Sequence, residues 1–187
     1  MPKLWLLTDA RNDAGLEHAI HRLPRGGGVV FRHYHLAEPE RRQRFETIRR
    51  ICRARGLLLV LSGTPALART WRADGSYGEA VRGRTLATAH GLPEIGRANR
   101  LRAGAVLLSP VFPTRSHPGG RTLGPVRFLL LAQRSLVPVI ALGGMNRRSA
   151  RRLPGFGWAA IDGLATRTPA KSSDSKTILD RDSRQGA

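Results

Sequence analysis

Two short apolar runs in the second half of the chain end in loops suited to binding a small ligand. Ala105–Leu108 leads into Ser109-Pro110-Val111-Phe112-Pro113-Thr114, and Val137–Leu142 leads into Gly143-Gly144-Met145-Asn146. Adjacent glycines after a strand can turn backbone N–H groups toward an anion. Between the two loops, Arg115-Ser116-His117-Pro118-Gly119-Gly120-Arg121-Thr122 is polar and basic with no apolar face of its own, the composition of a lid over such a site.

Loops of this kind need parallel strands to bring them to one end of a sheet, and the chain supplies strands in alternation with helices. Strands are expected over residues 4–7, 28–31, 57–61, 73–78, 85–88, 105–108, 137–142 and 158–161, with a helical segment in each of the seven intervals. Glu38–Arg55 is the clearest helix, with Phe45, Ile48, Ile51 and Cys52 on one stripe and Gly56 as its stop. Asp13–Leu23 carries Leu16, Ala19, Ile20 and Leu23 at helical spacing, with Asp13 as its expected cap and Pro24 as its end. Eight such units argue for a closed (β/α)8 barrel, because closure removes the edges that an open sheet must protect. The units finish near residue 165, so the barrel domain is expected over 1–165. Residues 166–187 are polar, with only Ile178 and Leu179 as sizeable apolar side chains, and are expected to form a partly disordered tail. The final helix is then reduced or missing.

Composition narrows the function classes. The formal charge is +19, carried by 32 Lys+Arg of which Lys3, Lys171 and Lys176 are the lysines. Such a field attracts phosphates, acidic metabolites and nucleic acid. The arginines are spread along the chain with no interleaved aromatics, which fits helix surfaces and argues against a nucleic-acid footprint. Cys52 is the single cysteine, so there is no disulfide framework, and it is expected to pack as a small buried hydrophobe. No signal-peptide pattern and no membrane-length apolar run is present, and a cytoplasmic location is expected.

The segments Leu4-Trp5-Leu6-Leu7-Thr8-Asp9, the strand end at Arg32, Ala73-Asp74-Gly75, Thr88-Ala89-His90, Ser109 to Thr114 and Ala141 to Gly144, taken in this order, resemble the thiamine-phosphate synthase family, including its thiazole tautomerase branch. The resemblance covers about residues 4–163 and is most specific in the Pro-Val-Phe-Pro-Thr loop followed by Gly-Gly. It implies a small (β/α)8 TIM barrel. It also implies a reaction in which a hydroxymethylpyrimidine diphosphate loses pyrophosphate and its methylene carbon is captured by the nitrogen of thiazole phosphate, with Mg2+ holding the diphosphate. The implied catalytic residues are Arg32, His90, Thr114 and His117. Phosphate contacts are implied for Arg32, Thr114, His117, Gly143, Gly144 and Gly163.

The chain departs from the family pattern at several of these places. Val30 and Tyr34 stand where the family has glutamine and lysine around the arginine, with His33 or His35 as substitute sources of charge. Ser62-Gly63 replaces asparagine and an acidic residue, and Asp74 does not occupy the magnesium carboxylate position, with Glu79 the nearby substitute. His117 replaces a lysine. Asp162 replaces a serine and repels a phosphate unless a cation, Arg147 or Arg167, lies between them. Three functions are therefore compatible with the resemblance: the synthase reaction, a thiazole tautomerase-like isomerisation using His90 or His117, and a non-catalytic or regulatory protein that binds phosphorylated pyrimidine or thiazole molecules. A homo-oligomer is compatible with all three.

Overall fold

The computed structural model describes residues 1–115, 119–162 and 164. Eight parallel strands, β1 (Leu4–Leu7), β2 (Gly28–Phe31), β3 (Leu58–Ser62), β4 (Gly75–Gly78), β5 (Gly83–Ala89), β6 (Ala103–Leu108), β7 (Val139–Ala141) and β8 (Gly157–Ala160), close into a barrel in sequence order. Closure is made by β1 on β8, with Leu4 opposite Trp158 and Leu6 opposite Ala160.

Alternation along each strand divides the apolar residues between two sides of the barrel wall. Trp5, Leu7, Val30, Val60, Leu86, Leu107, Ile140 and Ala159 fill the interior. The residues between them face outward onto the helices. On one side Leu6, Val29, Phe31, Leu59 and Leu61 pack against α1 (Leu16–His21), α2 (Glu38–Arg55) and α3 (Pro65–Thr70). On the other, Ala87, Ala89, Val106, Leu108 and Ala141 form one core with residues of α4 (Leu92–Leu101) and α5 (Gly124–Ala132), close to α6 (Arg147–Ala150). Interior packing explains the glycine run before β2. A Cβ on Gly28 would lie 2.3 Å from the Trp5 ring, so glycine there makes room for the indole at the floor of the barrel.

Helix α2 has the bounds read from its stripe, and Gly56 ends it at φ +64. Cys52 is 1% exposed within it, and burial pushes its thiol up to about 12, as befits a packing residue. Two expectations are corrected. Asp9, and not Asp13, caps the first helical segment, which begins as a 3-10 turn over Ala10–Gly15; Asp9 accepts the Arg11 N–H while Asn12 takes the Asp9 N–H. The interval between β4 and β5 holds no helix: residues 79–82 connect the two strands directly. No helix among the described residues is long and apolar enough to cross a membrane. The tail, where a final helix would lie, falls outside the described residues.

Candidate active site

The C-terminal strand ends enclose a cavity of about 430 Å³ lined by Arg32, Tyr77, Thr88, His90, Thr114, Arg121 and Gly143, among others. A second compartment of about 350 Å³ adjoins it, bounded by Thr114, Arg115, Gly143, Gly144, Asn146 and Asp162. Thr114, Leu142, Gly143 and Ile161 line both. The structure thus brings Arg32, His90, Thr114, Gly143 and Gly144 to one rim. His117 and Gly163 lie outside the described residues, as does Arg167.

The second compartment is shaped by two loops that run side by side. Val111 N–H donates to Leu142 O at 2.9 Å and Phe112 N–H to Gly143 O at 3.1 Å. Gly143 and Gly144 have φ +92 and +62, and a Cβ on either would strike the neighbouring loop, at 2.7 Å from Pro110 Cα for Gly143 and 2.4 Å from Pro113 O for Gly144. The glycines are therefore needed for loop packing as well as for any anion contact. No backbone carbonyl among the described residues takes either glycine N–H.

Arg32 is placed by the end of β1. Its Nε–H donates to Thr8 O at 3.0 Å, its Nη2 to Asp9 Oδ2 at 2.6 Å, and its backbone N–H to Thr8 Oγ1 at 2.9 Å. Asp9 also pairs with Arg11 at 2.9 Å, and Arg11 with Asp162 at 3.3 Å. Charges thus alternate along Arg32, Asp9, Arg11 and Asp162 across the ends of β2, β1 and β8. Burial would raise the Asp9 carboxyl, but hydrogen bonds from Arg11 and the charges of Arg11 and Arg32 outweigh it and hold the group below its usual range. Arg11 is the cation that offsets Asp162. Arg147 does not do so; it lines a groove outside the barrel with Arg22 and Arg151.

His90 precedes α4, whose cap is Gly91. Its Nδ1 lies 2.8 Å from Ser109 O, and a carbonyl only accepts, so Nδ1 carries a proton and Nε2 is the other ring nitrogen of this cavity-lining side chain. Tyr77 enters the same cavity from β4. Burial raises its hydroxyl above the ordinary range, with the Arg32 charge opposing, so it stands there as a protonated donor. His33, expected as a substitute source of charge, is fully buried behind the strand and bonded to Thr8 and Asp13; it does not line the cavity.

The carboxylates do not form a magnesium site. Asp74 accepts the Leu59 N–H at 2.7 Å and lines a cavity with Trp5 and Arg84 at the opposite, N-terminal end of the barrel. The Glu79 side chain is 83% exposed, 3.5 Å from Arg97. Among the described residues no group of three His, Cys, Asp or Glu side chains could hold a metal ion. Asp74→Asn should accordingly leave the magnesium dependence of any turnover unchanged, as a magnesium titration of the variant's rate would show.

Comparison with known proteins agrees with the barrel fold. Residues 86–165 match the family model described as thiamine monophosphate synthase. A thiamine phosphate pyrophosphorylase from Pyrococcus furiosus has the same fold, with a TM-score of 0.73 at 22% identity over 88% of each chain. A thiamine phosphate pyrophosphorylase from Bacteroides thetaiotaomicron superposes with a TM-score of 0.61 at 15% identity, covering 91% of this chain and 89% of its own. No curated protein matches the sequence.

Proposed function

We propose, on the match of residues 86–165 to the thiamine monophosphate synthase model, that the chain is a divergent member of the thiamine-phosphate synthase family and that its rim joins a hydroxymethylpyrimidine diphosphate to thiazole phosphate and releases pyrophosphate. The observation that carries this reading is the pair of compartments sharing Thr114 and Gly143, one with arginines and one with paired glycine amides. A two-substrate condensation needs two anion subsites at that spacing.

In the larger compartment Arg32 and Arg121 meet the diphosphate. As the carbon–oxygen bond breaks, negative charge collects on the pyrophosphate oxygens, and fixed guanidinium groups stabilise it without reorganising. Arg32 is held from behind by Thr8 O and Asp9, which leaves its remaining N–H groups for the anion. In the smaller compartment the Gly143 and Gly144 amides take the thiazole phosphate, with Arg11 shielding it from Asp162. The thiazole nitrogen lone pair then forms the new bond to the methylene carbon, with Thr114 between the two phosphates. Among the described residues no set of side chains is gathered to hold the family's magnesium.

Purified protein should convert the two phosphorylated precursors to thiamine phosphate and pyrophosphate. Absence of product at high protein concentration, with and without magnesium, would overturn the proposal. One observation favours a second reading, isomerisation of carboxythiazole phosphate: the Nε2 of His90 belongs to a cavity side chain. If His90 or His117 transfers the proton, His90→Ala or His117→Ala should slow isomerisation by about 100-fold, in the range for a lost general base. Unchanged isomerisation rates in both variants would remove the second reading.

A further inference from the structure

Behind the rim, a buried polar chain runs from Arg32 to the first helical segment. Thr8 and His33 are both fully buried, with Thr8 Oγ1 2.7 Å from His33 Nδ1 and His33 Nε2 2.8 Å from Asp13 Oδ1. Arg44 of α2 donates to the same Asp13 oxygen through Nε at 2.9 Å and Nη2 at 2.7 Å. The direction of each bond is determined by its ends. The Arg32 backbone N–H can only donate, so Thr8 Oγ1 accepts it, and the one hydroxyl proton is left for His33 Nδ1. The Asp13 carboxylate can only accept, so the ring proton sits on Nε2. With the ring neutral, every member has one role, and they fit the Nε2–H tautomer and not the Nδ1–H one.

We propose that Thr8, His33 and Asp13 form a positioning relay that fixes Arg32 in the anion site. The relay rests on the reading that Arg32 meets an anion. His33 sits at φ +40, a conformation that side chains other than glycine avoid unless their contacts hold it. Its ring is stacked on Phe31 with centroids 4.5 Å apart and planes 2° from parallel, so both ring edges are presented squarely to Thr8 and Asp13. The order of attachment then runs from a rigid α2 through Asp13 and His33 to the end of β1, and from Thr8 to the Arg32 backbone and guanidinium.

The groups facing His33 are Thr8 from the end of β1, Asp13 from the 3-10 turn, Arg44 from α2, and Phe31 and His35 from its own segment. Burial holds the imidazole below its usual range, against the upward pull of Asp13. Protonation would make Nδ1 a donor. Thr8 Oγ1 would then receive two hydrogens and its own proton would lose its acceptor, loosening the hold on Arg32.

The test uses the full chain, inorganic pyrophosphate as the probe, and two readouts. Thr8→Val removes the hydroxyl at nearly constant volume; it should speed hydrogen exchange at the Arg32 amide and weaken pyrophosphate binding about tenfold, the scale of one buried hydrogen bond. Thr8→Ser should restore both. On an Arg32→Ala background, Thr8→Val should change pyrophosphate affinity by less than about twofold, because the two act through one contact. Independent, multiplying losses would overturn the relay, as would unchanged Arg32 amide exchange in Thr8→Val. If Arg32→Ala alone binds pyrophosphate as the parent does, the anion-site reading fails, while amide exchange still decides the relay. Should Thr8→Val not fold, nitrogen NMR of the parent decides: an Nε2–H pattern for His33 near neutral pH supports the relay, and an Nδ1–H pattern overturns it.

Discussion

Arg32→Ala should weaken pyrophosphate binding and lower kcat/KM for condensation by about 100-fold, equivalent to roughly 3 kcal/mol. The size follows from the setting. The Arg32 side chain is 18% exposed and its guanidinium is the cavity-facing end of a chain of alternating charges. Truncation removes a donor fork aimed at the anion and also leaves Asp9 with Arg11 as its remaining cation, so a carboxylate now faces the incoming phosphates. Arg32→Lys should recover only part of the loss. An ammonium has three N–H donors at one point, so holding Thr8 O and Asp9 leaves it a single donor where the guanidinium keeps a planar fork. Calorimetry with pyrophosphate checks the ground-state part and steady-state rates check the remainder. Affinity equal to that of the parent in Arg32→Ala would remove Arg32 from the site.

Gly144→Ala should lower the melting temperature by about 10 °C, a loss of roughly 3 kcal/mol. Two costs combine. The residue adopts φ +62, where an added Cβ is strained, and that Cβ would lie 2.4 Å from Pro113 O and 2.7 Å from Phe112 Cβ. Backbone and a packed ring cannot yield cheaply, because Phe112 N–H is bonded to Gly143 O and its ring lies under Arg152, 5.1 Å from the centroid. The loops must separate, and the amides that face the smaller compartment move with them. Thiazole phosphate affinity should therefore fall in the same variant. Unchanged thermal stability would show that the loops are not packed as described.

Most of the fold was legible because it rests on period and punctuation. The stripe of Phe45, Ile48 and Cys52 with Gly56 after it defined α2, and short apolar runs bounded by glycine or polar residues marked the strands. The interval after β4 departs from the count of repeating units, because residues 79–82 connect the two strands without a helix. The cap at Asp9 was missed because Asp9 and Asp13 are equally good capping side chains in isolation. What separates them is tertiary: Asp13 is engaged by His33 and Arg44.

The site was legible in its loops and less so in its charges. Arg32, Thr114, Gly143 and Gly144 lie in ordered positions that a motif can mark. His33 was misassigned although alternation along β2 carried the signal: Val30 fills the barrel, Phe31 faces the helices, Arg32 turns to the cavity, and His33 must turn outward. Tyr77 follows the same rule in β4, but a strand as short as Gly75–Gly78 shows too little pattern to reveal it. The pairing of Arg11 with Asp162 could not be read from sequence. It joins residues 151 positions apart, brought together only when β8 closes on β1.

The most direct test of the account is calorimetric titration of the purified chain with thiazole phosphate. Convergence of Thr114, Gly143 and Gly144 on one compartment of about 350 Å³ predicts saturable binding at one ligand per chain, weakened in Gly144→Ala. No heat of binding, or binding of equal strength in both proteins, would contradict it.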